Sequence, residues 1–134
     1  MSATKIHTFS KSERLCGKRI ISELFCDGKS FFLNPYKIFW TKVSTIDDAS
    51  FPVKFAVAVP KRKFKRAVAR NLIKRRTREA FRTNKQLLSE SIPEGKQIHL
   101  MVVYTSDQSL PYTELDASMK KIVQYIVRKN AESH

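Results

Sequence analysis

Acidic side chains are scarce in this 134-residue sequence: 12 Asp and Glu stand against 26 Lys and Arg. They are also scattered. Glu13, Glu23 and Asp27 fall near the start, Asp47 and Asp48 in a polar turn, and Glu79 among arginines. Glu90 and Glu94 flank a loop, and Asp107, Glu114, Asp116 and Glu132 lie toward the end. Only Asp47 and Asp48 are adjacent, and neighbouring residues tend to point apart. Protein nucleases commonly cluster carboxylates around metal ions or position a general acid against a general base. This pattern disfavours both. Histidine does not fill the gap, because His7, His99 and His134 fall in a leader, a strand and the final residue.

Cysteine is equally sparse. Cys16 and Cys26 have no companions and no CxxC spacing, so two reduced thiols in a cytoplasmic protein are expected. No run of 18 apolar residues exists, which argues against a spanning helix and a membrane partner. Residues 1–10 lack the apolar core of a signal peptide. Internal repeats and low-complexity segments are absent. At this length one domain is expected, spanning residues 1–134, with 1–10 and 131–134 as flexible ends.

What the sequence has instead is positive charge: 26 − 12 gives +14, with a pI near 10.1. Such an imbalance points to nucleic acid or an anionic surface. The charge concentrates between Lys61 and Arg82, where eleven residues are Lys or Arg and only Glu79 is acidic. That stretch has no Gly and no Pro, so nothing inside it stops a helix.

At 100° per residue, Val68, Leu72, Ala69, Ala80 and Ile73 fall within roughly 140° of arc, with Phe81 beside it. Arg70, Lys74, Arg78, Asn71, Arg82 and Arg75 take the opposite side. Arg76 and Thr77 interrupt the apolar arc and have no evident place. Solvated helix faces usually mix signs, since Glu–Lys pairs four apart are stabilising. Here like charges repeat at that spacing in Arg70, Lys74, Arg78 and Arg82, which suggests that a polyanion supplies the missing charge. Guanidinium forks match phosphate oxygens, and Asn71 can donate and accept at a base edge or ribose.

The remaining segments read as follows. Residues 18–26 form a short helix ended by Gly28, and residues 29–35 a loop holding Phe31 and Phe32. Tyr36 to Val43 is a strand, with Tyr36, Ile38, Trp40 and Lys42 on one face and Lys37, Phe39, Thr41 and Val43 on the other. Val53 to Val59 is nearly all apolar and reads as a strand buried on both faces. The basic helix runs from about Lys65 to Leu88, and Gln97 to Tyr104 is a third strand. His99 in that strand reads as a satisfied or edge residue. Pro111 opens a last helix whose apolar stripe is Leu115, Met119, Ile122, Val123, Ile126 and Val127. The class is therefore α+β, in the order α-β-β-α-β-α with room for one more short strand.

Ala67-Val68-Ala69-Arg70-Asn71-Leu72-Ile73-Lys74-Arg75, followed by Arg78-Glu79-Ala80-Phe81-Arg82, resembles the RNR signature of the bacterial ribonuclease P protein component. Val59-Pro60-Lys61-Arg62 resembles the basic strand end that leads into it. The likeness extends from about Phe9 to Lys129. It implies a central mixed sheet with a left-handed βαβ crossover, although general rules favour the right-handed one. It also implies an accessory subunit of an endoribonuclease that removes the 5′ leader of precursor tRNA. The chemistry would belong to a catalytic RNA that uses magnesium, with no cofactor on the protein and no obligate protein partner.

By the same resemblance, Lys61, Arg62, Arg66, Arg70, Asn71, Lys74, Arg75 and Arg78 meet the RNA. A groove between the first helix and the sheet takes the single-stranded leader, with Phe25 and Trp40 inside it and Lys37 at its rim. The competing reading for Phe25 and Trp40 is ordinary core. An aromatic common in the family four residues before Phe25 is Ile21 here, so either leader stacking is weaker or Phe31 or Phe32 substitutes. The rivals to the whole reading are a ribosomal or RNA-chaperone protein, a DNA-binding module and a nuclease in its own right. The first leaves the RNR spacing unexplained. The second would want a turn-helix pattern ahead of Lys65, and none is present.

Overall fold

The chain is described by a computed structural model over residues 28–44, 53–93 and 95–132. The expected first helix lies outside these residues. Within them the order is β1 (Lys29–Leu33), β2 (Tyr36–Ser44), β3 (Val53–Ala58), α1 (Ala67–Glu90), β4 (Lys96–Tyr104) and α2 (Tyr112–Glu132). One four-stranded mixed sheet carries the order β1-β2-β4-β3. β1 and β2 pair antiparallel, as do β2 and β4, whereas β3 and β4 are parallel neighbours joined through α1. The basic helix thus connects two parallel strands, as a βαβ crossover requires. None of the helices among the described residues is long and apolar enough to cross a membrane.

Two expectations change here. The segment at residues 29–35 is a strand and a two-residue turn rather than a loop. Lys29↔Trp40 and Leu33↔Tyr36 mark the ends of its register with β2. Alternation then separates its two aromatics. Phe31 packs on Tyr125 of α2 with ring centroids 4.1 Å apart, while Phe32 is 61% exposed on the other side. β3 is an edge strand, not one enclosed on both faces. Val53 and Phe55 are buried, whereas Lys54, Ala56 and Ala58 are only partly so.

The main core lies between one sheet face and the two helices. Tyr36, Ile38 and Trp40 of β2, Ile98, Leu100, Val102 and Tyr104 of β4, and Phe55 of β3 supply the sheet side. From α1 come Ile73, Ala80, Phe81 and Leu88, with Phe81 stacked on Phe55 at 4.1 Å and 4°. The α2 stripe is buried at Leu115, Met119, Ile122, Val123 and Ile126, as its spacing predicts.

The buried stripe of α1 is turned from the expected one by more than a quarter of the helix circumference. Val68 is 80% exposed and Leu72 only partly covered, while Thr77 and Lys85 are buried. Thr77 earns its place through a buried hydrogen bond: its hydroxyl lies 2.7 Å from the Tyr36 hydroxyl, across 41 residues of sequence. Burial pushes the Tyr36 phenol well above its usual range, against the Thr77 bond, so the phenol stays protonated and able to donate.

Leaving a buried hydroxyl unpaired costs its desolvation. Thr77→Val should therefore lower stability by about 1–3 kcal/mol, read as a shift in urea midpoint at constant slope. The double change Thr77→Val with Tyr36→Phe should recover part of that loss, because it strands no polar group. A Thr77→Val protein as stable as the parent would show the bond to be energetically idle.

Candidate nucleic-acid interface

The turn of α1 about its own axis decides which side chains meet solvent. Asn71 and Arg75 are exposed, Lys74 and Arg78 half-buried, and Val68 stands out among them. Arg82 shares the outer face and forms an ion pair with Glu79 three residues earlier. The Arg82 hydrogen bond holds the Glu79 carboxyl below its ordinary range, so this single acid stays ionised beside the arginines. Lys61 and Arg62 lie exposed in the turn after β3, and Arg66 is exposed at the position that caps the helix. That cap makes no side-chain hydrogen bond, and the first turn carries no acid. The N-terminal peptide dipoles therefore add to the cationic field rather than being offset. Val68, Asn71, Leu72, Arg75 and Arg78 line an open depression of about 490 Å³ on this surface.

Arg70 and Arg76 of the stretch are also bonded within the protein itself. Arg70 Nη1 donates to the carbonyl oxygens of Phe64 at 2.7 Å and Lys65 at 2.9 Å. It fixes the approach to the helix and so the positions of Lys65 and Arg66. Arg76, which had no place in the sequence pattern, donates to Leu110 O at 2.8 Å and reaches Ser109 Oγ at 3.4 Å. It ties α1 to the loop ahead of α2, and its long stem carries the charge past the packed face.

The other sheet face carries a smaller apolar cluster of Met101 with Phe39, Ala56, Ala58 and Val103. Phe39, Met101 and Ala56 form one row across the strands, and Phe32, Lys37, Val103 and Ala58 form the next. Lys37 is exposed, with Nζ 5.7 Å from the Phe39 ring centroid. His99 shares this face and pairs Nε2 with Gln97 Oε1 at 2.9 Å, a satisfied histidine.

This geometry separates residues that the sequence reading placed in one groove. Trp40 is 2% exposed and belongs to the main core, on the side opposite Lys37. Among the described residues, Lys29 places Nζ 5.0 Å from the centroid of its ring. Phe25 and Ile21 lie outside the described residues. Phe39 is the aromatic that shares a face with Lys37, and Phe32 is the exposed one beside it. Strand alternation carried that signal, since Lys37 and Phe39 are two residues apart whereas Lys37 and Trp40 are three. Val68 was missed because it looked like core.

The sequence profile of the family Ribonuclease P matches residues 9–127. The ribonuclease P protein component of Porphyromonas gingivalis is 32% identical over 123 residues, covering 90% of this chain and 88% of that protein. That of Chlorobium phaeobacteroides is 37% identical over 107 residues, covering 76% and 73%. Among solved structures, the RNase P protein of Staphylococcus aureus superposes with a TM-score of 0.62 at 17% identity, over 87% of this chain and 96% of that one. The RNase P protein from Thermotoga maritima gives 0.62 at 22%, over 84% and 96%. A profile that covers most of the chain and relatives above 30% identity agree with the four-stranded mixed sheet and its basic crossover helix, and the chain belongs to the ribonuclease P protein family.

Proposed function

We propose that this chain is the protein subunit of a ribonuclease P ribonucleoprotein, which binds the catalytic RNA and the 5′ leader of precursor tRNA. The observation that carries the reading is the outer face of α1. Asn71, Arg75, Arg78 and Arg82 point away from the core, and Lys61, Arg62 and Arg66 continue the charge at the helix start. Between Lys61 and Arg82 the sequence holds one acid, Glu79, and it pairs with Arg82. Such a face neutralises phosphates and sets the register of an RNA, without covalent chemistry. Lys74 lies at its flank. Arg70 acts chiefly by holding the approach to the helix.

The leader fits the second sheet face. Single-stranded RNA is held by aromatic stacking beside a cationic track. Phe39 and Phe32 with Lys37 offer that combination. Magnesium serves the RNA in this scheme, and the protein contributes affinity for precursor over product.

The test of the electrostatic part is a salt titration of binding to the catalytic RNA. Each phosphate contact contributes a slope of roughly −0.7 to −0.9 in log K against log salt. Arg75→Ala should weaken binding and flatten the slope by about one such step, with the fold unchanged because the side chain is exposed. Affinity insensitive to salt would count decisively against this face as the RNA contact.

A further inference from the structure

Phosphate neutralisation accounts for the arginines of α1 but not for Val68. A valine 80% exposed in the middle of a cationic face costs solvation and does nothing for a phosphate. It does not stand alone. Val68 and the half-covered Leu72 line the same depression as Asn71, Arg75 and Arg78. Two branched apolar side chains, an amide and two guanidinium groups therefore share one concavity of about 490 Å³, within the range of small-ligand sites.

Each part has a counterpart in one nucleotide. Val68 and Leu72 offer an apolar floor to the flat face of a base or to a ribose. The Asn71 carboxamide presents one donor and one acceptor side by side. The unpaired edge of a nucleobase presents the complementary pair, whereas in a duplex that edge is already used. Arg75 and Arg78 lie where the flanking phosphates would pass, and their fork geometry suits phosphate oxygens. A regular duplex would bring only its sugar–phosphate ridge to this helix. It would offer the Asn71 amide only ribose hydroxyls and leave the Val68 surface with nothing to contact.

We propose that this depression holds a single unpaired nucleotide of the bound RNA, its base against Val68 and Leu72 and its edge on Asn71. The inference rests on α1 being the RNA-binding face. It adds that the helix reads an unstacked base there rather than charge alone. RNA-binding proteins in general take their specificity from splayed-out bases in loops and bulges.

The experiment uses the full chain and three synthetic hairpins with the same number of base pairs, the two bulged forms being matched in phosphate count. One carries a single bulged purine, one an abasic bulge at the same position, and one is fully paired. The purine bulge should bind roughly tenfold tighter than either control, the size of one good bidentate base contact. Asn71→Ala and Val68→Ser, both at exposed positions, should bring that ratio toward one. Arg75→Ala should weaken all three hairpins together and leave the ratio standing.

Binding to the catalytic RNA, measured in parallel, separates the two levels of the argument. Tight, salt-dependent binding to that RNA with equal affinity for purine and abasic bulges overturns the nucleotide site alone. Equal loss on all three hairpins for Val68→Ser overturns it as well. Failure to bind the catalytic RNA overturns the proposed function and this inference with it.

Discussion

The purified chain, given magnesium and precursor tRNA, should leave the substrate uncut. Joined to the catalytic RNA at near-physiological salt, it should restore accurate 5′ maturation. This is the largest effect expected of the protein, all or none in the first case. The physical ground is the placement of its carboxylates. Hydrolysis of a phosphodiester needs an activated water and stabilised charge on the leaving oxygen, which proteins supply through convergent acids or a metal between them. Among the described residues the acids diverge. Glu79 is paired with Arg82 on the outer face of α1, and Glu90 accepts from Gln86 at the end of that helix. Asp116 on α2 accepts from Asn84 at 2.9 Å and pairs with Lys120 at 3.3 Å. Among the described residues, no three His, Cys, Asp or Glu side chains gather where a metal ion could sit. At high magnesium the RNA alone should retain some cleavage, since added cations replace part of the charge that α1 brings. Cleavage at the mature 5′ end by RNA-free protein, surviving nuclease treatment and repurification, would overturn the assignment.

Trp40→Ala should destabilise the fold by about 3–5 kcal/mol, the range for deleting a large aromatic from a packed core. Trp40 is 2% exposed among Tyr36, Ile38 and Leu100, so truncation leaves a cavity that the sheet and helices fill only in part. A loss of that size is a large share of a small domain's stability, and much of the variant would be unfolded at growth temperature. The emission of this single tryptophan should be that of a buried indole and should respond equally to precursor and mature tRNA. Trp40→Phe keeps most of the volume and separates stability from recognition. It should fold, and it should keep the full advantage of precursor over mature tRNA. Phe39→Ala, on the opposite face, should lose roughly 1–3 kcal/mol of leader-dependent affinity, the worth of one stacked base. A well-folded Trp40→Phe protein that loses its preference for precursor would return Trp40 to the leader site.

The two aromatics differ by one position in the chain, and that position decides between core and surface. Alternation along β2 is legible without coordinates: Tyr36, Ile38 and Trp40 share one face, Lys37 and Phe39 the other. What the pattern cannot say is which face meets the helices. That depends on β4, which pairs with β2 across nine residues and sets Ile98, Leu100 and Val102 in the layer with Ile38 and Trp40. Likewise Phe31 and Phe32 are equivalent until β1 pairs with β2. Pairing then turns one toward Tyr125 and leaves the other exposed.

Local chemistry along the chain was sufficient for much of the rest. Positive charge concentrated between Lys61 and Arg82, the long helix without Gly or Pro, the apolar stripe of α2 and the likeness of the Arg70-Asn71 segment to its family all follow from residue types at their spacing. These properties depend on near neighbours, and helical periodicity reports near neighbours. The orientation of α1 about its axis does not. The spacing favours an apolar arc centred on Val68, Leu72 and Ile73, but a helix buries whatever its neighbours can satisfy. Tyr36, 41 residues away, gives Thr77 a partner at 2.7 Å, and Phe55 gives Phe81 a ring to stack on. Those contacts outweigh the exposure of one valine. They turn Asn71 and Arg75 outward together with Val68, and they place Arg76 against Leu110 O. The presence of a long cationic helix was therefore written in sequence, and only tertiary packing decided which of its side chains reach solvent.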